Sequence, residues 1–273
     1  MNAVAQPAGS AFCFRQLHTS GLLVLPNAWD AGTARLIESL GAKAIATTSA
    51  AVAWSHGFSD GEVLPVRLLT ATVESIARVV RVPLSVDVEG GYSTDAATVS
   101  DLVASVIDAG AVGINLEDGN AVPGVLCAKI ESVKRAAARR RVDLFVNART
   151  DVYLRGLAPA DRRVAETLSR AEQYWRAGAD GIFVPGLTGA VEIRAIVAGT
   201  RLPLNVLAWA DLPPASELEA LGVRRLSAGS TIASAVLGRI ASLSKDFLAA
   251  GALAPLFEGS LSYSALNTLF SSR

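Results

Sequence analysis

Eight short apolar runs recur along the chain, each followed by a longer stretch whose apolar residues return every three or four positions. The runs are Leu22–Pro26, Ala44–Thr48, Leu84–Glu89, Val112–Asp118, Leu144–Thr150, Gly181–Gly186, Leu204–Ala208 and Arg224–Gly229. Continuous runs of this kind suit strands buried on both faces, and the helical period between them suits helices packed over those strands. Capping residues such as Asp30, Asp95 and Asp161 stand near the start of the helical stretches, and Gly41, Gly110 and Gly178 near their ends. Strict alternation of strand and helix, without a Pro/Gly/Ser-rich linker, predicts one α/β domain over 1–273, a (β/α)8 TIM barrel. An open doubly wound sheet is the alternative. Beyond the eighth strand, residues from about 230 to 273 add at least two helical patterns with apolar positions that a closed barrel does not need. This tail is expected to pack against a neighbouring subunit.

In a barrel, alternate strand residues point inward and active sites form at the C-terminal strand ends. Parity then groups Ser85, Asp87 and Glu89 on one strand, Asn115 and Glu117 on the next, and Asn147 and Arg149 on the one after. All three sets converge on the barrel mouth. Burying Asp87, Glu89 and Glu117 together is costly unless something positive lies among them. Oxygen ligands without His or Cys nearby favour Mg2+, with Mn2+ as the substitute, over zinc. Asp87 is the first choice as direct ligand, with Glu89 and Glu117 acting directly or through water. The competing reading is an Arg149 network that neutralises the acids without a metal.

Arg149 carries a planar fork suited to a substrate carboxylate or to a fixed ion pair with Glu117. In "TTSAAVAW" the N–H groups of Ser49, Ala50 and Ala51 suit either an oxyanion or the start of a helix. Trp29 and Trp54 are pocket walls or ordinary packing, and Asn205 joins Trp29 among the expected substrate contacts. His56 is one of two histidines, a general base or merely an exposed loop residue.

Composition narrows the partners. Lys+Arg and Asp+Glu stand at 25 each, so no overall field favours nucleic acid or an anionic membrane. Ala138–Arg141, "ARRR", reads as a solvated helix end. Cys13 and Cys127 lack CxxC or His-rich spacing, which argues against structural zinc and a disulfide framework and fits a reducing compartment. The opening "MNAVAQPAGSAFCFRQLH" lacks a signal-peptide pattern, and no stretch approaches the roughly 18 uninterrupted apolar residues of a membrane span. A cytoplasmic protein is expected.

At "LPNAWDAGTARLIESLGAKAIATTSAA", "SVDVEGGYS", "GINLEDG" and "NARTD", the sequence resembles the isocitrate lyase and phosphoenolpyruvate mutase superfamily, in order from about Leu22 to Gly229. The resemblance implies a (β/α)8 barrel, often with the final helix exchanged between subunits, in a homodimer or homotetramer. It also implies Mg2+ chemistry on a small 2-oxo or hydroxy carboxylate through an enolate-like species. By that resemblance Asp87 matches the direct metal ligand, Glu89 and Glu117 the acids around the metal and its waters, and Asp60 in "GFSDG" a further acid. Arg149 matches the arginine that holds the substrate, and Ser49, Ala50 and Ala51 the loop that binds its carboxylate and carbonyl oxygen.

Two departures qualify the resemblance. The lyases carry a "KKCGH" or "KRCGH" segment after the fourth strand, where this chain reads "EDGNAVPGVLCAKIESV" and Cys127 falls on the following helix instead. Pro185 in "IFVPG" stands where methylisocitrate lyases have Glu and phosphonate-forming mutases use His. The expected activity is therefore a Mg2+-dependent carbon–carbon lyase or decarboxylase acting on a small 2-oxo or hydroxy dicarboxylate. Phosphonopyruvate or carboxyphosphonoenolpyruvate chemistry, and a 2-oxo acid binding protein with little turnover, are the alternatives.

Overall fold

Pro26 divides the first strand of the sheet in two. Lacking an N–H, it contributes no donor to a ladder, and the chain uses the break to change partners. In the computed structural model, which describes residues 9–271, β1 (Leu23–Leu25) pairs with the last strand and β2 (Asn27–Ala28) with the next. The first eight residues of the N-terminal reading, and the last two of the tail, lie outside the described residues. The remaining strands are β3 (Ile45–Thr47), β4 (Leu84–Asp87), β5 (Gly113–Glu117), β6 (Phe145–Arg149), β7 (Gly181–Phe183), β8 (Leu204–Leu207) and β9 (Arg225–Ser227). All pairs are parallel, in the order β1-β9-β8-β7-β6-β5-β4-β3-β2. Counting β1 and β2 as one interrupted strand gives the eight-stranded barrel that the sequence predicts, with helices between the strands.

The side chain of Asn27 spans the break. Its Nδ2 donates to the Thr47 carbonyl at 2.7 Å and its Oδ1 accepts from Gly229 N–H at 2.8 Å, so one carboxamide joins β3 to the loop after β9.

Each strand is shorter than its apolar run. Glu89, Asp118 and Thr150 lie just past the ends of β4, β5 and β6. The outward parity, including Val86, Ile114, Leu116, Val146 and Ile182, is fully buried against the helices. Asp30 starts the helix Ala31–Ser39 through a capping box, accepting from Thr33 N–H at 2.7 Å. Asp95 caps Ala96–Asp108 by accepting from Thr98 N–H at 2.9 Å.

The lower barrel interior holds an apolar cluster. Phe14, from the short helix Ser10–Gln16, packs with Leu23, Leu25, Ala46 and Phe145. Burying such a ring contributes about 2–3 kcal/mol. It fits because β5 has glycine at 113, where a Cβ would fall 2.5 Å from Phe14 Cε1. His18 stacks on Phe145 with ring centroids 4.2 Å apart, and its Nδ1 bonds the Phe14 carbonyl at 2.8 Å. Burial, with the Arg225 charge nearby, pushes its pKa down to about 3.

After β9 the chain forms helices Thr231–Ala250, Ala254–Phe257 and Tyr263–Ser271. Val236, Leu237, Ile240, Phe247, Leu248 and Phe257 are exposed on this tail. The last helix is tied to Ala31–Ser39 by Arg35 Nε, which donates to the Leu269 carbonyl at 3.1 Å. Among the described residues no helix is long and apolar enough to cross a membrane.

Two measurements check this account. Asn27→Ala leaves a buried donor and acceptor without their partner and should cost about 1–3 kcal/mol in urea unfolding; an unchanged midpoint would refute the bridging role. An unfolded histidine takes a proton near pH 6.5 whereas His18 in the fold resists until about 3, so acidification favours the unfolded chain throughout that window. Stability should fall between pH 7 and 5 by about 2 kcal/mol more in the natural protein than in His18→Phe. Equal losses in the two proteins would show that His18 does not titrate this way.

Candidate active site

The C-terminal strand ends enclose a cavity of about 200 Å3. Strand register sets up its polar half: Asp87, Asn115 and Asn147 lie level on β4, β5 and β6, and Glu117 pairs with Arg149 one layer higher. Asp87, Asp60, Ser49, Ala50 and Arg149 line the cavity, together with Asn27, Thr48, Asn115, Ser227 and Ser230. Asp87 is held from three sides. Its N–H donates to Thr47 Oγ1 at 2.9 Å, its Oδ1 accepts from Glu89 N–H at 3.2 Å, and its carboxylate also accepts from Ser49 N–H. Burial nevertheless keeps its pKa above the usual carboxylate range, Arg149 pulling the other way and Asp60 adding to the rise.

Arg149 is ion-paired on two sides. Nη1 lies 2.8 Å from Glu117 Oε2, Nε 2.7 Å from Asp151 Oδ1, and Nη2 donates to Asp151 Oδ2 at 3.2 Å. Two guanidinium N–H groups are thereby hydrogen-bonded to Asp151, and Nη1 is ion-paired with Glu117. Burial, with Asp87, Asp151 and Glu89 nearby, holds Glu117 above the usual carboxylate range against the pull of Arg149.

Behind this pair stands Asp118, fully engaged. Its Oδ1 accepts from Asp151 N–H at 3.0 Å, and its Oδ2 accepts from Arg170 Nη1 at 2.8 Å and from Tyr174 OH at 2.6 Å. Asp118 thus fastens the end of β6 to the helix Arg163–Ala177. The sequence reading placed Asp118 only at a strand end, because nothing along the chain shows that Arg170 and Tyr174, some fifty positions on, turn towards it.

Glu89 faces an adjoining pocket that it shares with Glu62, Tyr92, Glu117 and Lys129. Its carboxylate accepts from Tyr92 OH at 2.8 Å and Glu62 N–H at 2.6 Å. Glu62, Glu89 and Tyr92 all have positive φ, a costly conformation that persists where surroundings fix it. Lys129 Nζ braces the same loop by donating to the Gly90 carbonyl at 2.6 Å. At Gly91, with φ +96°, a Cβ would also meet Val99 Cγ1 at 2.6 Å.

Other expected residues lie elsewhere. Asn205 is buried, its carboxamide exchanging two 3.0 Å hydrogen bonds with Ser227 Oγ rather than lining the cavity. Trp29, Ala51 and Trp54 line a separate apolar groove against Val236, Leu237 and Ile240. His56 is exposed and bonds Thr72 Oγ1 at 2.9 Å. Cys127 sits on the helix Pro123–Arg139, and burial raises its thiol pKa.

Among the described residues no three His, Cys, Asp or Glu side chains form a cluster that could hold a metal. The donor set is instead Asp87 with Asp60 beside the cavity, while Glu117 and Glu89 are committed to other partners. All-oxygen donors of this number fit Mg2+, which takes one or two carboxylates and keeps several waters.

A closed parallel barrel with charged residues gathered at the C-terminal ends of its strands belongs to the (β/α)8 class. Within it, the chain belongs to the phosphoenolpyruvate phosphomutase family, whose model matches residues 14–248. It is 38% identical over 230 residues to the uncharacterized protein Rv1998c of Mycobacterium tuberculosis, covering 82% of this chain and 84% of that one. It is 32% identical over 230 residues to 2,3-dimethylmalate lyase of Eubacterium barkeri, covering 76% and 74%. A solved structure from Burkholderia cenocepacia J2315, described as a candidate phosphonomutase, superposes with a TM-score of 0.83 at 40% identity, covering 87% of this chain and 99% of that one. The superfamily comprises lyases and mutases.

The Asp118 junction can be tested directly. Asp118→Ala leaves Arg170 buried beside a missing partner and should destabilise the fold by about 3–5 kcal/mol in urea unfolding. A loss below about 1 kcal/mol, the range of exposed pairs, would show the junction to be dispensable.

Proposed function

We propose that the protein is a Mg2+-dependent carbon–carbon lyase or decarboxylase acting on a small 2-oxo or hydroxy dicarboxylate. One observation carries this reading: the cavity pairs an acid suited to a divalent ion with an arginine suited to a carboxylate, yet among the described residues no His, Cys, Lys or Tyr lines it. No such side chain stands ready to protonate a departing anion. Decarboxylation requires none.

In a 2-oxo acid with a carboxylate on carbon 3, the bond from carbon 3 to that carboxylate breaks and CO2 leaves. The electron pair remains on carbon 3, delocalised onto the 2-oxo oxygen, and solvent then supplies a proton to carbon 3. Asp87, with Asp60, would hold Mg2+, and Mn2+ in its place. The ion supplies positive charge where the oxyanion develops. Arg149 orients the retained carboxylate through its N–H groups not engaged by Glu117 and Asp151, and Ser49 fixes Asp87. Glu117 and Glu89 would act on the ion through its waters.

The exposed apolar residues of the C-terminal helices support a homodimer or homotetramer. Sedimentation at micromolar concentration should give a dimer or tetramer, and a monomer would remove this part of the proposal.

The activity is tested by screening 2-oxo and hydroxy acids, oxaloacetate among them, with Mg2+ or Mn2+ and with EDTA. Consumption of at least one acid, abolished by EDTA, is expected. Asp87→Ala should lose about a hundredfold or more in kcat/KM, equivalent to about 2.7 kcal/mol of transition-state stabilisation. Cys127→Ala should stay within about twofold of the natural enzyme, because Cys127 is not among the residues that line the cavity. Full activity in Asp87→Ala overturns the metal assignment, and phosphate release from phosphonopyruvate would redirect the reading to phosphonate chemistry.

A further inference from the structure

The cavity has two unlike halves. Its polar residues come from β2, β4, β5, β6 and β9 and from the segment after β3. The remaining arc, formed by the ends of the adjacent strands β7 and β8 and by the segment after β6, presents Leu154, Phe183, Pro185, Leu207 and Trp209. These five residues make up an apolar wall of the lining, with Leu154 and Trp209 partly exposed at its rim. Phe183 and Pro185 are buried, and Leu207 is seated against Gly229, where a Cβ would fall 2.6 Å from Leu207 Cδ1.

Charge is distributed just as unevenly. Arg149 is the one cation in the lining among the described residues, and Glu117 and Asp151 already flank it. Arg225 lies beneath the floor on the polar side, behind Ser227 and Asn115, where its Nε donates to Ser227 Oγ at 2.9 Å. At the edge of the apolar wall the guanidinium of Arg149 lies 5.9 Å from the centroid of the Phe183 ring, and no second cation stands in the lining among the described residues. A second carboxylate or phosphonate retained there would find only Arg149, already paired with Glu117 and Asp151 and needed by the first carboxylate, so its loss of water would be poorly compensated.

We infer that the cavity selects a substrate whose carbon 3 bears an aliphatic group, so that the molecule retained after carbon–carbon cleavage is an aliphatic 2-oxo acid. This rests on the reading of the cavity as a 2-oxo acid site and adds what occupies its far side. The polar half takes the 2-oxo carboxylate, and the wall of Leu154, Phe183, Pro185, Leu207 and Trp209 takes the tail. At about 200 Å3 the cavity is smaller than ordinary drug-sized sites, which limits the tail to a few carbons.

The test is calorimetric titration of the Mg2+-loaded protein with pyruvate, 2-oxobutanoate, 2-oxopentanoate and 2-oxohexanoate, which differ by one methylene each. Affinity should rise about fourfold per methylene until the wall is covered, the equivalent of about 0.8 kcal/mol for each buried CH2. A second comparison sets 2-oxoglutarate against 5-methyl-2-oxohexanoate, in which an isopropyl group replaces the distal carboxylate at nearly constant shape. The aliphatic acid should bind at least tenfold more tightly. Trp209 is half-exposed, so replacing it should spare the fold. Trp209→Ala should flatten the chain-length series, and Trp209→Arg should shift preference towards 2-oxoglutarate.

A flat series, or 2-oxoglutarate binding as tightly as its aliphatic counterpart, overturns the inference while leaving the 2-oxo acid site standing. Failure of every 2-oxo acid to bind overturns both.

Discussion

The guanidinium of Arg149 lies within 2.8 Å of Glu117 and 2.7 Å of Asp151, and without it these acids and Asp87 would share a barrel mouth poor in water. A parallel barrel gives inward side chains little access to solvent, so charges placed on that parity must be neutralised by one another or by a ligand. Arg149 is positioned for this by strand register, since β5 and β6 pair Glu117 directly with it. It is also positioned from behind, because Asp118 holds the Asp151 backbone while Asp151 accepts from Arg149 and Arg155. Asp87 receives Coulombic support from this arginine but no ion pair, which makes it the acid most in need of a further positive charge.

The interior below the mouth has a different balance. Arg225 is buried with a neutral environment of Ser227 and Asn115, and desolvation pushes its pKa down to about 9, with only Asp87 opposing that fall. Its Nη1 has no hydrogen-bond partner among the described residues. A cation so placed gives the cavity floor a positive potential although it contributes no surface to the cavity. Polar and apolar functions are thus separated by strand: hydroxyls, carboxamides and charges on one arc, aromatic and aliphatic side chains on the other.

Much of this was legible in the chain. Each of the eight apolar runs contains a strand, and the period-2 placement of Asp87, Asn115, Glu117, Asn147 and Arg149 foretold their shared face, because side-chain alternation is a property of any strand. The helix starts at Asp30 and Asp95 were equally plain, since their caps are local. What escaped the reading depends on distant contacts. Asn27 sits beside a proline in an unremarkable strand end, and its role as a bridge emerges only when Thr47 and Gly229 are brought beside it. Asn205 has the inward parity expected of a substrate contact, yet Ser227 across the ladder engages it first. Glu89 continues the alternation of β4 on paper, but a left-handed backbone turns it towards Tyr92 and Glu62.

The bond from Gly229 to Asn27 joins residues 202 positions apart. Contacts so distant in sequence form late in folding, after the loop-closure entropy of nearly the whole barrel has been lost. During synthesis the first strand must therefore wait for the last, its unpaired edge exposed, until β9 emerges and Gly229 reaches the carboxamide. Since Asn27, Ser227 and Ser230 all line the cavity, the site has no partial form: closing the barrel and completing the binding surface are one event.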